Sequence, residues 1–185
     1  MGNIFLSVYK AELINAMNLV MENPKALIIG QCCLYSGHIM YSTIEHLPKD
    51  RVIEFPVAED MQLGASIGLA IQGFLPISIF PRVDFLLLAI NQLVNHLDKL
   101  ETCSHGQWQP KVIIRTMIGS LTPLYPGPQH CGDYTEGLRA MLCNVDVIRL
   151  EHSSQIMPAY RAALASPRST ILIEAPMRRE GYEED

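Results

Sequence analysis

The stretch EFPVAEDMQLGASIGLAIQG, residues 54–73, joins an apolar run to a segment rich in small residues. The run RVIEFPVA, which overlaps its start, has the Val, Ile and Phe content of a buried strand. Glu59 and Asp60 stand where that strand should end, and the segment that follows contains glycines at Gly64, Gly68 and Gly73. This order predicts one strand–helix unit of an α/β domain, with a carboxylate at the end of the strand.

The composition indicates a single folded domain. The chain has 185 residues, of which 49% are apolar and 18% are charged, and this balance favours a packed core over disorder. Its formal net charge of −5 disfavours a nucleic acid or an anionic membrane as a partner. Five cysteines without C-x-x-C spacing, and no secretory leader, predict free thiols in a cytoplasmic setting and no metal site.

Short apolar runs alternate with helical patterns along the whole chain. We predict strands at residues 25–33, 51–58, 75–81, 110–119, 145–151 and 169–176. We predict helices at residues 7–23, 40–48, 61–73, 85–103, 134–144 and 153–166. The predicted fold is a three-layer α/β sandwich with a mainly parallel sheet of about six strands, formed by a domain over residues 1–176 with a charged tail at 177–185.

Several polar residues follow the predicted strands. Gln31, Glu59 and Pro81 each come after a strand, and so does the loop PGPQHCGD at 126–133. Because ligands of parallel α/β sheets bind beyond the carboxyl ends of the strands, we expect these residues to converge on one edge. His38, on the loop after the first strand, is a further candidate for substrate contact.

Glu59 and the glycines after it are each open to two interpretations. A carboxylate in the first turn of a helix can bind free N–H groups, but Asp60 can do the same. Gly64 and Gly68 each cost a helix about 1 kcal/mol, which favours a close helix contact, either within this domain or between subunits.

The segment EDMQLGASIG fits the pattern E-x-x-x-x-G-Φ-x-x-G, with Ala65 in the Φ place. It resembles the pyrimidine-binding domain of thiamine-diphosphate enzymes. With RVIEFPVAE, GLAIQGFLPISIF, DFLLLAINQLVN, PQH and ILIEAP, the chain is similar to the beta subunit of the first component of 2-oxo-acid (pyruvate) dehydrogenases, within the transketolase-like family. The resemblance runs from about residue 5 to residue 176, and it implies the thiamine-diphosphate-binding fold of the pyrimidine-binding type.

The resemblance also implies roles for individual residues. Glu59 matches the catalytic glutamate that hydrogen-bonds N1′ of the cofactor's aminopyrimidine ring. Phe85 matches the aromatic residue that stacks on that ring, and Pro81 matches a residue that lines it. His130 matches a catalytic histidine that faces the reacting carbon. Gln31 stands in the cofactor site where the family commonly has an acidic residue, so a charge in the proton network is missing.

A partner subunit is implied by what the sequence lacks. The family binds the cofactor's pyrophosphate and Mg²⁺ through a G-D-G motif with a downstream Asn, and the nearest string here, CGDYTEG at 131–137, does not match. The resemblance therefore implies a separate alpha-type subunit, most simply in an α2β2 assembly. Together they would cleave a 2-oxo acid or a ketose and transfer or release the acyl or ketol unit.

Three alternatives stay open at this point. The chain could be a dehydrogenase beta subunit proper. Those subunits continue into a further domain that we do not expect here, so a stand-alone decarboxylase or a transferase fits the sequence as well as a dehydrogenase does. It could instead be a non-catalytic structural partner, which the Gln31 substitution favours. Finally, it could be a flavodoxin-like domain that binds another small molecule without a partner.

Overall fold

The computed structural model describes residues 2–121 and 125–176, with side chains from Ser7 onward. The strands are β1 (Ala26–Gly30), β2 (Val52–Glu54), β3 (Leu75–Phe80), β4 (Ile113–Met117), β5 (Val145–Leu150) and β6 (Ser169–Glu174). The helices are α1 (Gly2–Met21), α2 (Glu59–Ile71), α3 (Val83–Leu86), α4 (Leu100–Cys103), α5 (Thr135–Met141) and α6 (Ser153–Ala165). The predicted tail at 177–185 lies outside the described residues.

The six strands form one sheet in the order β2-β1-β3-β4-β6-β5, and every neighbouring pair is parallel. Every residue of β3 and β6 is buried, as expected for strands of a parallel sheet that is covered on both faces. Because all strands run in the same direction, their carboxyl ends lie along a single edge, which is where the candidate residues were expected. The predicted α/β class is confirmed.

Two apolar clusters cover the two faces of the sheet. On one face α1 and α6 pack through residues such as Met17 and Tyr160. On the other face α2, α3 and α5 pack through residues such as Leu63, Leu86 and Leu138. This arrangement is the predicted three-layer sandwich. None of the described helices is both long and apolar enough to cross a membrane.

The single helix predicted over residues 85–103 is wrong. The chain there passes from α3 through a 3₁₀ turn at Leu87–Ala89 and a π-helix at Gln92–Leu97 before α4. The backbone N–H of Asp98 donates to the carbonyl of Leu93 at 3.0 Å, five residues earlier. The Asp98 carboxylate accepts the N–H groups of Cys143 and Asn144 at 2.9 and 2.6 Å, so this end of the segment is held to the loop before β5.

Two shorter elements also differ from the prediction. The helix expected over 40–48 is a single 3₁₀ turn at Ile39–Thr43, and the strand expected over 51–58 pairs only over Val52–Glu54. Pro56 lacks a backbone N–H and therefore cannot donate to a neighbouring strand.

A buried ion pair lies at the carboxyl-end edge of the sheet, on the α1 side. Arg115 of β4 is fully buried, and its Nε lies 2.5 Å from Oε1 of Glu174 in β6. Its Nη1 donates to Oγ1 of Thr43 at 2.8 Å, which connects the sheet to the 3₁₀ turn. Burial disfavours the guanidinium charge, but the Glu174 carboxylate outweighs this effect and raises the pKa of Arg115 above its ordinary value.

We expect Arg115→Met to lower the free energy of unfolding by about 3–5 kcal/mol, because it leaves the Glu174 carboxylate buried without its partner. The double variant Arg115→Met with Glu174→Gln should recover a large part of this loss, since neither charge then remains. Urea unfolding followed by circular dichroism measures both, with the exposed Arg161→Met as the control. Equal stability of the single and double variants would contradict the assigned role of the pair.

Candidate functional site

Glu54 organises the loop that carries Gln31. The Glu54 carboxylate accepts the consecutive backbone N–H groups of Cys32, Cys33 and Leu34 at 2.6, 2.7 and 3.0 Å. Glu54 is the register partner of Gly30, so its side chain lies beside the end of β1. Cys32 has a φ of 52°, a left-handed conformation that non-glycine residues seldom adopt without such support. Sequence reasoning missed this role, because Glu54 is one acidic residue within an apolar run.

Gln31 and Glu59 meet at the edge of the sheet. Both side chains are buried, and Nε2 of Gln31 donates to Oε1 of Glu59 at 3.1 Å. Glu59 is the first residue of α2, and Oε2 of its carboxylate accepts no hydrogen bond from any described residue. One carboxylate oxygen is therefore bound to Gln31, the other has no described partner, and the side chain does not cap the helix.

The position of Glu59 depends on how α2 is anchored to β3. Nε2 of Gln62, also buried, donates to Oγ of Ser78 at 3.1 Å and to the carbonyl of Ile79 at 3.0 Å. Ser66, one turn later, donates to the carbonyl of Gln62 at 2.9 Å, and its Oγ lies 3.1 Å from Oγ of Ser78. These buried polar contacts fix the first two turns of α2 against the neighbouring strand.

Phe85 and His130 form the second part of the site. Their ring centroids are 5.4 Å apart, with the ring planes at 80°, which is an edge-to-face arrangement. The His130 carbonyl accepts the N–H of Gly119 at 3.0 Å, and a Cβ at Gly119 would lie 2.1 Å from that oxygen. Glycine is therefore required after β4 for this close approach. Nδ1 of His130 is buried and has no partner among the described residues.

Asp84 connects the two segments that carry Phe85 and His130. Its Oδ1 accepts the backbone N–H of Gly132 at 3.1 Å, so α3, which contains Phe85, is connected to the loop after His130. Oδ2 of Asp84 is buried without a partner in the part of the chain that the structure describes. Pro81 directly follows β3 and is half-buried, as expected for a residue at this edge.

His38 lies behind Gln31. Its Nε2 is 2.8 Å from the Gln31 carbonyl oxygen, so Nε2 carries the proton and donates. Nδ1 is then the acceptor, and it is buried without a partner in the described segments. Burial lowers the pKa of the imidazole below its ordinary value, although the hydrogen bond to the Gln31 carbonyl acts in the opposite direction.

Gly64 and Gly68 of α2 have different surroundings. A Cβ at Gly64 would lie 3.5 Å from the side chain of Gln92, an ordinary packing distance within this chain. At Gly68 a Cβ would meet no described atom within 4 Å. Gly64 therefore packs inside the domain, whereas the contact between subunits stays a prediction at the exposed Gly68.

Three large apolar side chains on or near α2 are exposed. Val57, Met61 and Leu88 are 80%, 57% and 63% exposed. Val57 precedes Glu59 by two residues, Met61 follows it by two, and the 3₁₀ turn that carries Leu88 packs against α2. We call Val57, Met61, Gly68 and Leu88 the α2 surface. Exposed apolar side chains near one helix are a candidate surface for contact with another molecule.

Known relatives were found by sequence comparison. The 2-oxoisovalerate dehydrogenase subunit beta of Bacillus subtilis is 27% identical over 114 residues, covering 57% of this chain and 35% of the relative. The 3-methyl-2-oxobutanoate dehydrogenase subunit beta of Mycobacterium tuberculosis is 25% identical over 165 residues, covering 86% of this chain and 46% of the relative. The pyruvate dehydrogenase E1 component subunit beta of Mycoplasma pneumoniae is 24% identical over 165 residues, covering 86% and 49%. The chain spans less than half the length of these relatives.

Solved structures share the fold. The structure described as "Split gene transketolase, inactive beta4 tetramer" superposes with a TM-score of 0.69 and 17% identity, over 97% of this chain and 54% of that chain. Transketolase from Campylobacter jejuni gives a TM-score of 0.67 at 17% identity, over 94% of this chain and 27% of that chain. At this level of identity the likeness establishes the fold alone.

We expect Gln31→Met to lower the free energy of unfolding by about 1–3 kcal/mol. The substitution removes the amide that donates a hydrogen bond to the buried Glu59 carboxylate, but it keeps a side chain of similar volume. Urea unfolding measures the change, and Gln72→Met at the exposed end of α2 is the matched control. If both variants unfold at the same urea concentration as the parent, the Gln31–Glu59 contact does not stabilise the fold.

We expect His38→Gln to flatten the pH dependence of stability between about pH 7 and pH 5. Because the pKa of His38 is lowered on folding, the unfolded chain binds a proton there more readily, and the free energy of unfolding falls as the pH drops below the ordinary value of about 6.5. Glutamine keeps an amide donor for the Gln31 carbonyl but does not titrate. Urea midpoints measured across this pH range test the effect. The exposed variant His105→Gln is the control, and its free energy of unfolding should still fall steeply as the pH drops.

The fold and the sequence agree with one family. The described geometry brings Gln31 to Glu59 and Phe85 to His130 at the carboxyl-end edge of a parallel sheet. The sequence matches the family described as "Transketolase, pyrimidine binding domain" over residues 11–177, nearly the whole chain. The chain belongs to the transketolase pyrimidine-binding domain family.

Proposed function

We propose that this chain is the beta-type, pyrimidine-binding subunit of a split thiamine-diphosphate-dependent enzyme. Its substrate would be a 2-oxo acid or a ketose, from which the acyl or ketol unit is transferred or released. The observation that carries the proposal is the buried Glu59 carboxylate, which has one oxygen held by Gln31 and the other open. The naming of the curated relatives as beta subunits of 2-oxo-acid dehydrogenases supports it.

The residues present fit the pyrimidine half of this cofactor. Glu59 Oε2 is an open acceptor for a ring nitrogen, and Nδ1 of His130 is a buried polar atom without a described partner. The Phe85 ring lies beside that imidazole and offers an apolar surface of the kind on which a flat heterocycle packs. When bound, thiamine diphosphate supplies a carbon nucleophile that attacks the substrate carbonyl.

Glu59 would hold a proton between Oε2 and the ring nitrogen. A carboxyl group in a cleft that excludes water can share a proton in this way near neutral pH. Gln31 fixes the orientation of the carboxylate by binding the other oxygen, and it adds no charge of its own. Glu59 is therefore the one carboxylate in this pair, whereas the family commonly has an acidic residue in the place of Gln31.

His130 would move a proton at the reacting carbon. Its backbone is held by Gly119 and by the carbonyl of Gly127, which accepts the His130 N–H at 3.1 Å, so the imidazole is positioned by the loop. Phe85 limits its rotation from one side. An imidazole is suited to this task because its proton exchanges near neutral pH.

A second chain would complete the cleft. The α2 surface is exposed, and Gly68 leaves open space where a partner backbone can approach closely. We propose an alpha-type partner that holds the pyrophosphate and Mg²⁺, in an α2β2 assembly. Cys32, Cys33, Cys103 and Cys143 are thiols, which supports the proposed cytoplasmic setting.

A non-catalytic structural subunit is the second candidate function. The neutral Gln31 at the Glu59 carboxylate favours it, since a charge of the family's proton network is absent. Calorimetry with thiamine diphosphate and Mg²⁺, on the chain with and without its partner, separates the two functions. Cofactor binding that requires both chains favours the enzyme, whereas assembly without cofactor binding favours the structural subunit.

We expect Glu59→Gln to slow the exchange of the cofactor's thiazolium C2 proton in the reconstituted complex by at least about 100-fold, because glutamine cannot share a proton with the ring nitrogen. Quenched-flow proton NMR in deuterated buffer follows this exchange without knowledge of the substrate. Asp60→Asn is the matched control, one residue along α2 and exposed, and it should exchange at nearly the parent rate. Undiminished exchange in Glu59→Gln would reject the mechanism.

A further inference from the structure

A cavity lies at the same edge of the sheet, on its α1 side. It has a volume of about 420 Å³, which is within the usual range for small-molecule sites. Its lining includes Leu13, Met40, Thr43, Arg82, Arg115 and Glu174, and neither Glu59, Phe85 nor His130 is among the lining residues. We call it the Arg115 cavity.

The fully buried Arg115 has a donor to spare in this cavity. Its Nε binds Glu174 and its Nη1 binds Thr43, but Nη2 is buried and has no partner among residues 2–121 and 125–176. A guanidinium nitrogen cannot lose its protons near neutral pH, so an unpaired Nη2 in the interior costs free energy. Such a cost indicates an acceptor that is bound in the cavity when the protein functions.

Arg82 contributes a second cation to the lining. It is half-buried, and its guanidinium forms no hydrogen bond or ion pair with any residue that the structure describes. Burial lowers the pKa of its guanidinium, although Cys131 and Asp84 lie close enough to counter this effect in part. The exposed Lys10 stands at the lining as well. The cavity therefore attracts negative charge.

Glu174 limits which anion fits. Its carboxylate lines the cavity and is bound to the same guanidinium whose Nη2 is free. A dianionic phosphate on Nη2 would face this carboxylate at short range and would be repelled, whereas a monoanion meets less repulsion. The remaining walls are largely apolar, with Leu13, Ile39 and Met117 among them.

We propose that the Arg115 cavity binds a small carboxylic acid with an apolar body, its carboxylate on Arg115 Nη2 and Arg82 and its body against α1. The site is independent of the thiamine cofactor, since it needs no residue assigned to that group. Pro126 also lines it and precedes His130 by four residues, so the bound acid would lie near the segment that carries the proposed catalytic histidine.

The test is calorimetric titration of the full chain with four probes that share one apolar body: hexanoate, hexanol, hexyl phosphate and hexylamine. We expect hexanoate to bind at least about tenfold more tightly than each of the others, because it alone supplies a monoanionic acceptor. Omitting thiamine diphosphate and the partner subunit keeps the result separate from the proposed enzymatic function.

Two variants probe the two cations. Arg82→Met removes the half-buried guanidinium without breaking an ion pair, and Arg115→Lys keeps a charge for Glu174 but removes Nη2. Each should weaken hexanoate binding by about tenfold and leave hexanol binding unchanged. Arg161→Met, an exposed substitution on α6 outside the cavity, should bind hexanoate like the parent. Melting temperatures show that each variant is folded.

Each outcome decides the proposal. Hexanoate binding that is weakened about tenfold in Arg82→Met and unchanged in Arg161→Met supports it. The proposal is overturned if hexanoate does not bind at millimolar concentration, if hexanol or hexyl phosphate binds as tightly, or if folded Arg82→Met and Arg115→Lys both bind hexanoate like the parent.

Discussion

The binding of three consecutive backbone N–H groups by Glu54 is the interaction on which the rest of the site depends. It bends the chain sharply after β1, so that Gln31 is directed towards the start of α2 and its carbonyl towards His38. A carboxylate that accepts several N–H groups forms strong, short hydrogen bonds, and here they are 2.6 to 3.0 Å long. The position of the Glu59 carboxylate thus follows from an acidic residue on a neighbouring strand.

The alternation of side chains along the strands divides the sheet edge into two regions. Ile79 and Phe80, adjacent in β3, belong to the apolar clusters on opposite faces. Their register partners in β4 are Arg115 and Thr116. Arg115 is therefore on the same face as Ile79 and α1, whereas Glu59 lies on the face of α2. Two chemically different clefts can share one edge because successive residues of a strand point in opposite directions.

Much of the fold followed from local pattern, but the site followed from it only in part. The apolar runs predicted all six strands, since a parallel sheet buries both faces of each strand. Glu59, Phe85 and His130 were proposed from resemblance, and the structure brings them to the expected edge. The role of Glu54 and the spare donor of Arg115 depend on contacts between residues distant in sequence. The π-helix was missed because its apolar spacing is close to that of an ordinary helix.

The outer strands of the sheet have a consequence for assembly. β2 is only three residues long, and in β5 the carbonyl of Val147 accepts hydrogen bonds from the Arg139 guanidinium at 3.3 Å. Asp146 and Arg149 add charges along β5. Short, charged and covered borders resist the addition of a foreign strand. Self-association by sheet extension is thereby discouraged, and recruitment of another chain is directed to the helical layer.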